Sequence, residues 1–321
     1  MRYYSLPCLA VLIWSGNTVV TRLSAGVIAP GAIAFYRWLL AALLLAPFLL
    51  IPVWHNRRAI RPHLLKLASL GLLGMVMYQG LAYVAAKSTP ATNMGIILSL
   101  IPLITMGLSI PLLRETPTYG GLFGGVLSLV GLVFLISHGD PASLLSTGIG
   151  EGDLMMLIAA LGYAGYGVLL RRWSLPLPTW QSLYVQIWFA VLFLLPFFLQ
   201  GPAAPITVRN VPLILYATIP TSICAPYIWM LALQHLGPSR ASIFLNLVPV
   251  LTAFLAISIA GEALQHYHLI GGAFVLAGVM LAQRLKKPFF SRSHQPNRSK
   301  TRSGYRARGS AVSDAPQPPF K

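Results

Sequence analysis

Charge is what this sequence has least of. Only 9% of its 321 residues are charged and 56% are hydrophobic, whereas a soluble domain of this size carries roughly a quarter charged residues. Charged residues this scarce are too few to cover a water-facing surface. Lipid must therefore be the solvent for most of the chain. The composition excludes an ordinary soluble protein and predicts an integral membrane protein.

Cysteines and acids are also scarce, with two Cys and six Asp and Glu residues in the whole chain. Cys8 and Cys224 lie in apolar stretches, which indicates small buried side chains rather than a disulfide or a metal pair. The sequence has no paired carboxylates, no HxxxH metal face, no GxxxxGK phosphate loop and no nucleophile elbow. His266 and His268, in a predicted loop, are two residues apart and make a poor chelate. We therefore predict no catalytic residue, no metal and no cofactor.

The net charge of +17 raises the question of a nucleic-acid partner. Nine of the basic residues lie between Lys286 and the end of the chain, against a single acid, Asp314. Most of the others lie in short loops, where basic residues set membrane topology. We expect no nucleic-acid partner, and we predict that residues 286–321, rich in Ser, Arg, Pro and Gln, form a disordered basic cytoplasmic tail.

Apolar runs long enough to cross a membrane recur ten times. A spanning helix needs about 20 mostly apolar residues, and the runs lie near 5–23, 31–53, 66–86, 91–113, 118–137, 153–171, 180–199, 211–235, 239–260 and 265–285. The first run holds Trp14 and Asn17 and exceeds the length of a signal peptide, so we expect a retained helix. With both termini inside, most Lys and Arg residues fall on the cytoplasmic side, as the positive-inside rule requires. The prediction is an all-α, multi-pass protein of the cell inner (plasma) membrane.

The two halves of the chain repeat each other. Residues 95–134 align without gaps onto 242–281 at an offset of 147, and the earlier helices align at an offset of 149. The matched pairs include Pro102 with Pro249, Glu115 with Glu262, Gly124 with Gly271, Gly131 with Gly278, Trp14 with Tyr163 and Arg37 with Gln186. Because each half has an odd number of helices, the two copies must run in opposite directions through the membrane.

The repeat predicts the domain organisation. The ten transmembrane helices form two inverted five-helix repeats, residues 1–137 and 153–285, joined by a periplasmic loop over 138–152. Inverted repeats of this kind are typical of secondary transporters, whose substrate site lies near the midplane between the repeats. A scaffold that inherited the duplication is the alternative.

Several stretches resemble the EamA-type drug/metabolite transporter superfamily. They are Trp14-Ser-Gly-Asn17, Phe35-Tyr-Arg37 at the entry to the second helix, the twice-repeated Pro-(x)12-Glu that precedes a Gly-rich helix, and Gly152-Asp153-Leu at the start of the sixth. The resemblance covers residues 5–285. It implies a ten-helix fold and transport, often export, of amino acids or other small metabolites, and YddG-like amino-acid exporters look closest in kind.

Polar and aromatic residues inside the spans are candidates for a substrate site, because such groups usually face a cavity or a partner helix. The candidates are Trp14, Asn17, Arg37, Tyr78, Gln79, Tyr83, Tyr163, Tyr166, Tyr227 and Asn246. Aromatic rings pack the apolar part of a solute while amides orient its polar end. Contacts between helices are the alternative role, and Trp229 faces either the cavity or lipid. Arg37 either snorkels to the surface or lines an outer vestibule and attracts a carboxylate.

Prolines mark candidate hinge or gating positions. Pro102 and Pro249 interrupt the fourth and ninth helices at equivalent points. Pro220 and Pro226 in the eighth helix have no counterparts in the third, which predicts unequal gating of the two halves. Glu115 has a structural interpretation, since Thr116 and Pro117 suit the cap and first residue of the next helix.

The predicted function is export of amino acids, aromatic or otherwise neutral, by alternating access. On the helix map no acid and no histidine falls near a midplane, so we predict a facilitator without a carboxylate relay. The partners are a small-molecule substrate and the lipid bilayer, and the oligomeric state stays open, a monomer included. The alternatives are export of purines, sugars, quaternary amines or drugs, and a membrane-embedded enzyme or scaffold.

Overall fold

The computed structural model describes residues 3–24, 27–85, 88–89, 91–146, 150–202, 205–260 and 264–288. The predicted tail beyond 288 and Glu262 lie outside the described residues, and so do the side chains of Gln79 and Tyr83. What the sequence predicts for these residues stays a prediction.

The described chain is built from α-helices. They are α1 (Ser5–Ser24), α2 (Pro30–His55), α3 (Arg57–Ile60), α4 (Leu64–Gly71), α5 (Tyr78–Ala85), α6 (Ala91–Ser99), α7 (Ile101–Leu113), α8 (Tyr119–Ile136), α9 (Glu151–Trp173), α10 (Thr179–Gln200), α11 (Val211–Thr218), α12 (Ala225–Leu236), α13 (Pro238–Ser242), α14 (Leu247–Ala260) and α15 (His266–Arg284). Two π-helical segments, Leu72–Met77 and Ile219–Cys224, connect α4 to α5 and α11 to α12. The 3₁₀ segments are Arg61–His63, Pro141–Ser146 and Ile243–Asn246.

The apolar helices match the ten predicted spans. Within the described ranges, nine helical stretches are long and apolar enough to cross a membrane, namely Pro30–His55, Arg57–Ala82, Asn93–Leu113, Tyr119–Ile136, Glu151–Trp173, Thr179–Gln200, Val211–Leu236, Pro238–Leu255 and His266–Arg284. A tenth apolar stretch, Ser5–Thr21, is shorter. The prediction of an all-α membrane protein is confirmed.

Four of these spans are interrupted, and the interruptions occur in pairs. The π-helical segment Ile219–Cys224 begins and ends 147 residues after Leu72–Met77. The break between α6 and α7 at Leu100 recurs at the same offset between the 3₁₀ segment Ile243–Asn246 and α14. Corresponding helices in the two halves therefore share their irregular backbone.

Helices α8 and α15, which are the fifth spans of the two halves, pack closely against each other through glycines. A Cβ on Gly131 would lie 2.7 Å from the carbonyl oxygen of Gly271, and a Cβ on Gly271 would lie 2.7 Å from that of Gly131. Gly124 and Gly278 approach each other in the same way further along the pair. Only glycine permits such contact between helix backbones.

The order of these contacts gives the relative direction of the two helices. Gly124 meets Gly278 and Gly131 meets Gly271, so residue numbers rise along α8 while they fall along α15. Because Gly271 and Gly278 are the repeat partners of Gly124 and Gly131, the two contacts exchange under the repeat, as a two-fold axis requires. Antiparallel partners are what five-helix repeats of opposite orientation need. The contacts support the inverted repeat, which as a whole stays a prediction.

Two local predictions are wrong. The cap of α8 is Thr118, whose Oγ1 accepts a hydrogen bond from the Gly121 N–H at 3.0 Å, and not Thr116. His266 and His268 lie in the first turn of α15 rather than in a loop. The first error displaces the start of α8 by two residues, because apolar runs locate the body of a helix better than its ends. The second conflicts with the apolar run 265–285, which already includes both histidines.

The proline asymmetry of the third and eighth spans does not make their backbones different. Pro220 is the second residue of its π-helical segment, yet the equivalent segment Leu72–Met77 has the same form without a proline. The gating roles assigned to Pro102, Pro249, Pro220 and Pro226 stay predictions, but this difference between the halves no longer supports them.

The glycine contact makes a prediction for stability. We expect Gly124→Ala to lower the melting temperature of the detergent-solubilised protein by several degrees, because the new methyl group meets backbone atoms of Gly278 and Ala282 that have no side-chain freedom to move away, at a cost of about 1–3 kcal/mol. The control is Gly107→Ala in α7, where a Cβ meets nothing within 4 Å. Equal melting temperatures for the two variants would contradict the close contact of α8 and α15.

Candidate functional site

A cavity of about 230 Å³ lies among helices from both halves of the chain. Seven of the ten predicted substrate contacts line it, together with two of the four predicted hinge prolines: Trp14, Asn17, Arg37, Tyr78, Tyr163, Tyr166, Asn246, Pro226 and Pro249. Drug-sized ligands occupy pockets of roughly 300–1,000 Å³. The volume therefore fits a small metabolite better than a large drug.

All four helix interruptions contribute residues to this cavity. Gly74 and Met75 come from the first π-helical segment and Thr221 from the second, whereas Ser99 precedes the break after α6 and Asn246 ends the 3₁₀ segment before α14. Irregular backbone at membrane depth is tolerated where it is covered by protein or lines a cavity. The interruptions thus converge on one site.

Aromatic rings form two walls of the cavity. The ring centroids of Tyr78 and Tyr163 are 5.2 Å apart at 46°, and those of Trp14 and Trp229 are 5.3 Å apart at 61°. One pair joins the third and sixth spans, the other the first and eighth, so the repeat relates the helices that carry them. Offset and edge-on contacts at these distances are favourable, and they hold the rings in place beside the empty volume.

Trp229 faces the interior and not lipid. Its side chain is 2% exposed and contributes to the cavity wall. The indole Nε1 of Trp229 and that of Trp38 are buried and meet no hydrogen-bond acceptor within the described part of the chain. Buried N–H groups without an acceptor are uncommon and costly, so this wall offers more donors than the surrounding protein uses.

Tyr227, a predicted substrate contact, does not line the cavity. It stacks instead on Trp180, with ring centroids 3.8 Å apart and planes at 12°. Tryptophan is typical of the membrane–water interface, but Trp180 packs against the core. This cavity therefore gives no support to a substrate contact by Tyr227, which stays a prediction.

Arg37 is buried beside the cavity, with 6% of its surface exposed. Its Nε–H donates to Ser222 Oγ at 2.7 Å, and its guanidinium carbon lies 5.4 Å from the ring centroid of Trp38. Ser222 in turn donates to the carbonyl oxygen of Ala217 at 2.8 Å. A side chain held inside the protein in this way does not snorkel to the membrane surface, so the cavity-lining alternative fits.

The two asparagines of the site differ in how they are held. Asn246 is buried and its Nδ2 donates to Ser128 Oγ at 2.9 Å, which orients the amide. Asn17 makes a long contact of 3.5 Å with Thr21 Oγ1 on its own helix. Asn246 is therefore the better fixed polar group of the two.

Sequence reasoning missed several lining residues, among them Trp38, Gly74 and Thr221. Trp38 adjoins Arg37, and Thr221 follows Pro220 where the apolar run of the eighth span is broken. Gly74 is required sterically, since a Cβ there would lie 2.7 Å from the ring of Tyr166. A polar residue next to a helix-breaking residue was the signal available in the sequence for Thr221.

A polytopic helical membrane protein with an aromatic cavity between its halves has the architecture of a transporter. The family model for the EamA-like transporter family matches residues 1–137 and 150–283. The chain belongs to this family, and it is a membrane transporter of small molecules rather than an enzyme.

Individual relatives agree with the family match. An uncharacterized transporter of Archaeoglobus fulgidus is 30% identical over 86% of this chain and 95% of its own, and the uncharacterized transporter YyaM of Bacillus subtilis is 27% identical over 84% and 90%. A crystal structure covers 88% of this chain and 96% of its own with a TM-score of 0.68 at 20% identity. That structure supports the fold alone.

The contact between Gly74 and Tyr166 makes a prediction for binding. We expect Gly74→Ala to weaken binding of a transported solute, measured by calorimetry, about tenfold. The added methyl group displaces the Tyr166 ring into the cavity, at a cost of the order of 1–3 kcal/mol. The matched control is Gly80→Ala in α5, where a Cβ meets nothing within 4 Å. Unchanged affinity in a folded Gly74→Ala variant would show that solutes do not use this part of the cavity.

Proposed function

We propose that this protein exports small amphiphilic solutes, amino acids foremost, across the inner membrane by alternating access between its two halves. The observation that supports this most is the composition of the cavity wall. Paired aromatic rings, an oriented amide and one guanidinium group face a volume of about 230 Å³. A solute with an apolar side chain and a polar end matches such a wall.

Alternating access requires that one end of the cavity be closed by contacts that can open. At one end, Ser239 Oγ donates to Glu115 Oε2 at 2.7 Å, joining the loop after α7 to α13 of the other half. A second contact joins the chain just before α1 to the end of α12. The rings of Tyr3 and His235 stack there, with centroids 4.1 Å apart. Under the predicted topology both contacts lie on the cytoplasmic side, and we propose that they help to close the cavity on that side.

A solute panel tests the function directly. We expect purified protein in liposomes to carry at least one amino acid, with aromatic and other neutral members favoured because ring walls pack apolar side chains. The panel contains amino acids, purines, sugars and quaternary amines, and protein-free liposomes are the control. Transport of another class without amino acids would replace the substrate, and transport of none by a well-folded protein would count against the proposed function.

The positions of the titratable groups support a facilitator. Among the described acids, Glu115 and Asp140 lie in loops, and Glu151 and Asp153 lie in the first turn of α9. Asp153 is buried, but its Oδ2 accepts from the Gly150 N–H at 2.8 Å as a helix cap. The described histidines likewise lie at helix ends and in short connections. Proton-coupled carriers usually hold an ionisable group inside the membrane.

The coupling prediction follows. In liposomes with equal pH and salt on both sides, a solute gradient alone should drive flux, and an imposed pH gradient should change the initial rate by less than about twofold, because no described carboxylate lies at membrane depth to relay a proton. Initial rates of radiolabelled solute uptake measure this. Accumulation of solute against its gradient when only a proton or Na⁺ gradient is imposed would contradict a facilitator.

A further inference from the structure

Charged side chains are rare in the described part of the cavity wall. Among the described lining residues, Arg37 is the one side chain that is ionised at neutral pH. The described acids lie elsewhere, in the loops after α7 and α8 and at the start of α9. A fixed positive charge in a low-dielectric cavity acts strongly on a charged ligand, since water screens it little.

The guanidinium group is positioned by its neighbours. Ser222 binds its Nε–H, and the ring of Trp38 lies beside it. An arginine carries five N–H donors, so one side chain serves a protein acceptor and a ligand acceptor together. Its terminal nitrogens match the two oxygens of a carboxylate, which gives a strong and directional contact.

An ammonium group has weaker partners in the same cavity. The described wall offers it neutral groups, such as the amide of Asn246 and the ring faces of Tyr78 and Tyr163. Contacts of a cation with aromatic rings are worth less than a charge-assisted pair of hydrogen bonds to arginine. The indole N–H groups of Trp38 and Trp229 also favour an acceptor over a donor.

We propose that the cavity selects its solutes by their carboxylate, that Arg37 is the residue that binds it, and that an ammonium group is dispensable. The inference rests on the proposed function, in that the cavity is the solute site. It deepens that function by naming the ligand class as aromatic monocarboxylates, of which aromatic amino acids are one kind. Aromatic amines without a carboxylate are excluded.

Three solutes with the same phenyl group separate the two charges. They are phenylalanine, 3-phenylpropanoate, which lacks the amino group, and phenethylamine, which lacks the carboxylate. Calorimetry on the full-length protein in nanodiscs should show 3-phenylpropanoate binding at least as tightly as phenylalanine. Phenethylamine should bind about tenfold to a hundredfold more weakly, as expected for the loss of hydrogen bonds to a charged group.

Variants of Arg37 assign the preference to one residue. Arg37→Gln introduces the residue that its repeat partner, Gln186, holds inside the equivalent span, and it should remove the preference for carboxylates. Arg37→Lys keeps the charge but loses the bidentate geometry, so it should retain the preference with weaker binding. The control is Arg172→Gln at the exposed end of α9, which should behave as the wild type.

The outcomes separate this inference from the proposed function. Equal affinity for phenylalanine and phenethylamine, or an unchanged carboxylate preference in folded Arg37→Gln, would overturn the role of Arg37 while leaving amino-acid transport intact. Tight binding of phenylalanine with no binding of 3-phenylpropanoate would show that the ammonium is required, and would also overturn the inference. Binding of none of the three by a folded protein would overturn both.

Discussion

The hydrocarbon core of a membrane allows irregular backbone only where protein or a cavity surrounds it, and this constraint organises the molecule. The two π-helical segments, the break after α6 and the 3₁₀ segment before α14 all contribute residues to the same cavity. A wide turn leaves backbone groups that need other partners, and hydroxyl groups provide them. Ser222 binds the carbonyl of Ala217, and Thr221 binds that of Tyr216 at 3.2 Å. Distortion, polarity and empty volume therefore occur together.

The same segment fixes the only described charge of the cavity wall. Ser222 lies in the second π-helical segment and accepts the hydrogen bond of Arg37 from α2. The distorted backbone of the eighth span is thus connected directly to the group that we propose binds the carboxylate. A change in the form of this segment would move the guanidinium group, and binding of an anion would in turn favour one form of the segment. Solute binding and helix conformation are linked in this way.

The sequence predicts the helices and most of the cavity, and its failures have a physical cause. Apolar runs locate the ten spans, and polar residues within them identify Trp14, Arg37 and Tyr163 as lining the site. The predicted and the described lining differ beyond the second π-helical segment, where Trp229 lines the cavity and Tyr227 does not. A regular helix turns about 100° per residue, and the wider π turn shifts the faces of everything that follows. No periodicity in the residues themselves announces that shift.

The central claim is that solutes bind in the cavity with their carboxylate at Arg37, and a structure with 4-bromophenylalanine bound tests it most directly. Anomalous scattering distinguishes the bromine from the lighter atoms of the protein, lipid and solvent. We predict one bromine peak between Trp14 and Tyr163, with the carboxylate density beside the Arg37 guanidinium group. A bromine peak on the lipid-facing surface or in a loop, with the cavity empty and binding measured under the same conditions, would contradict it.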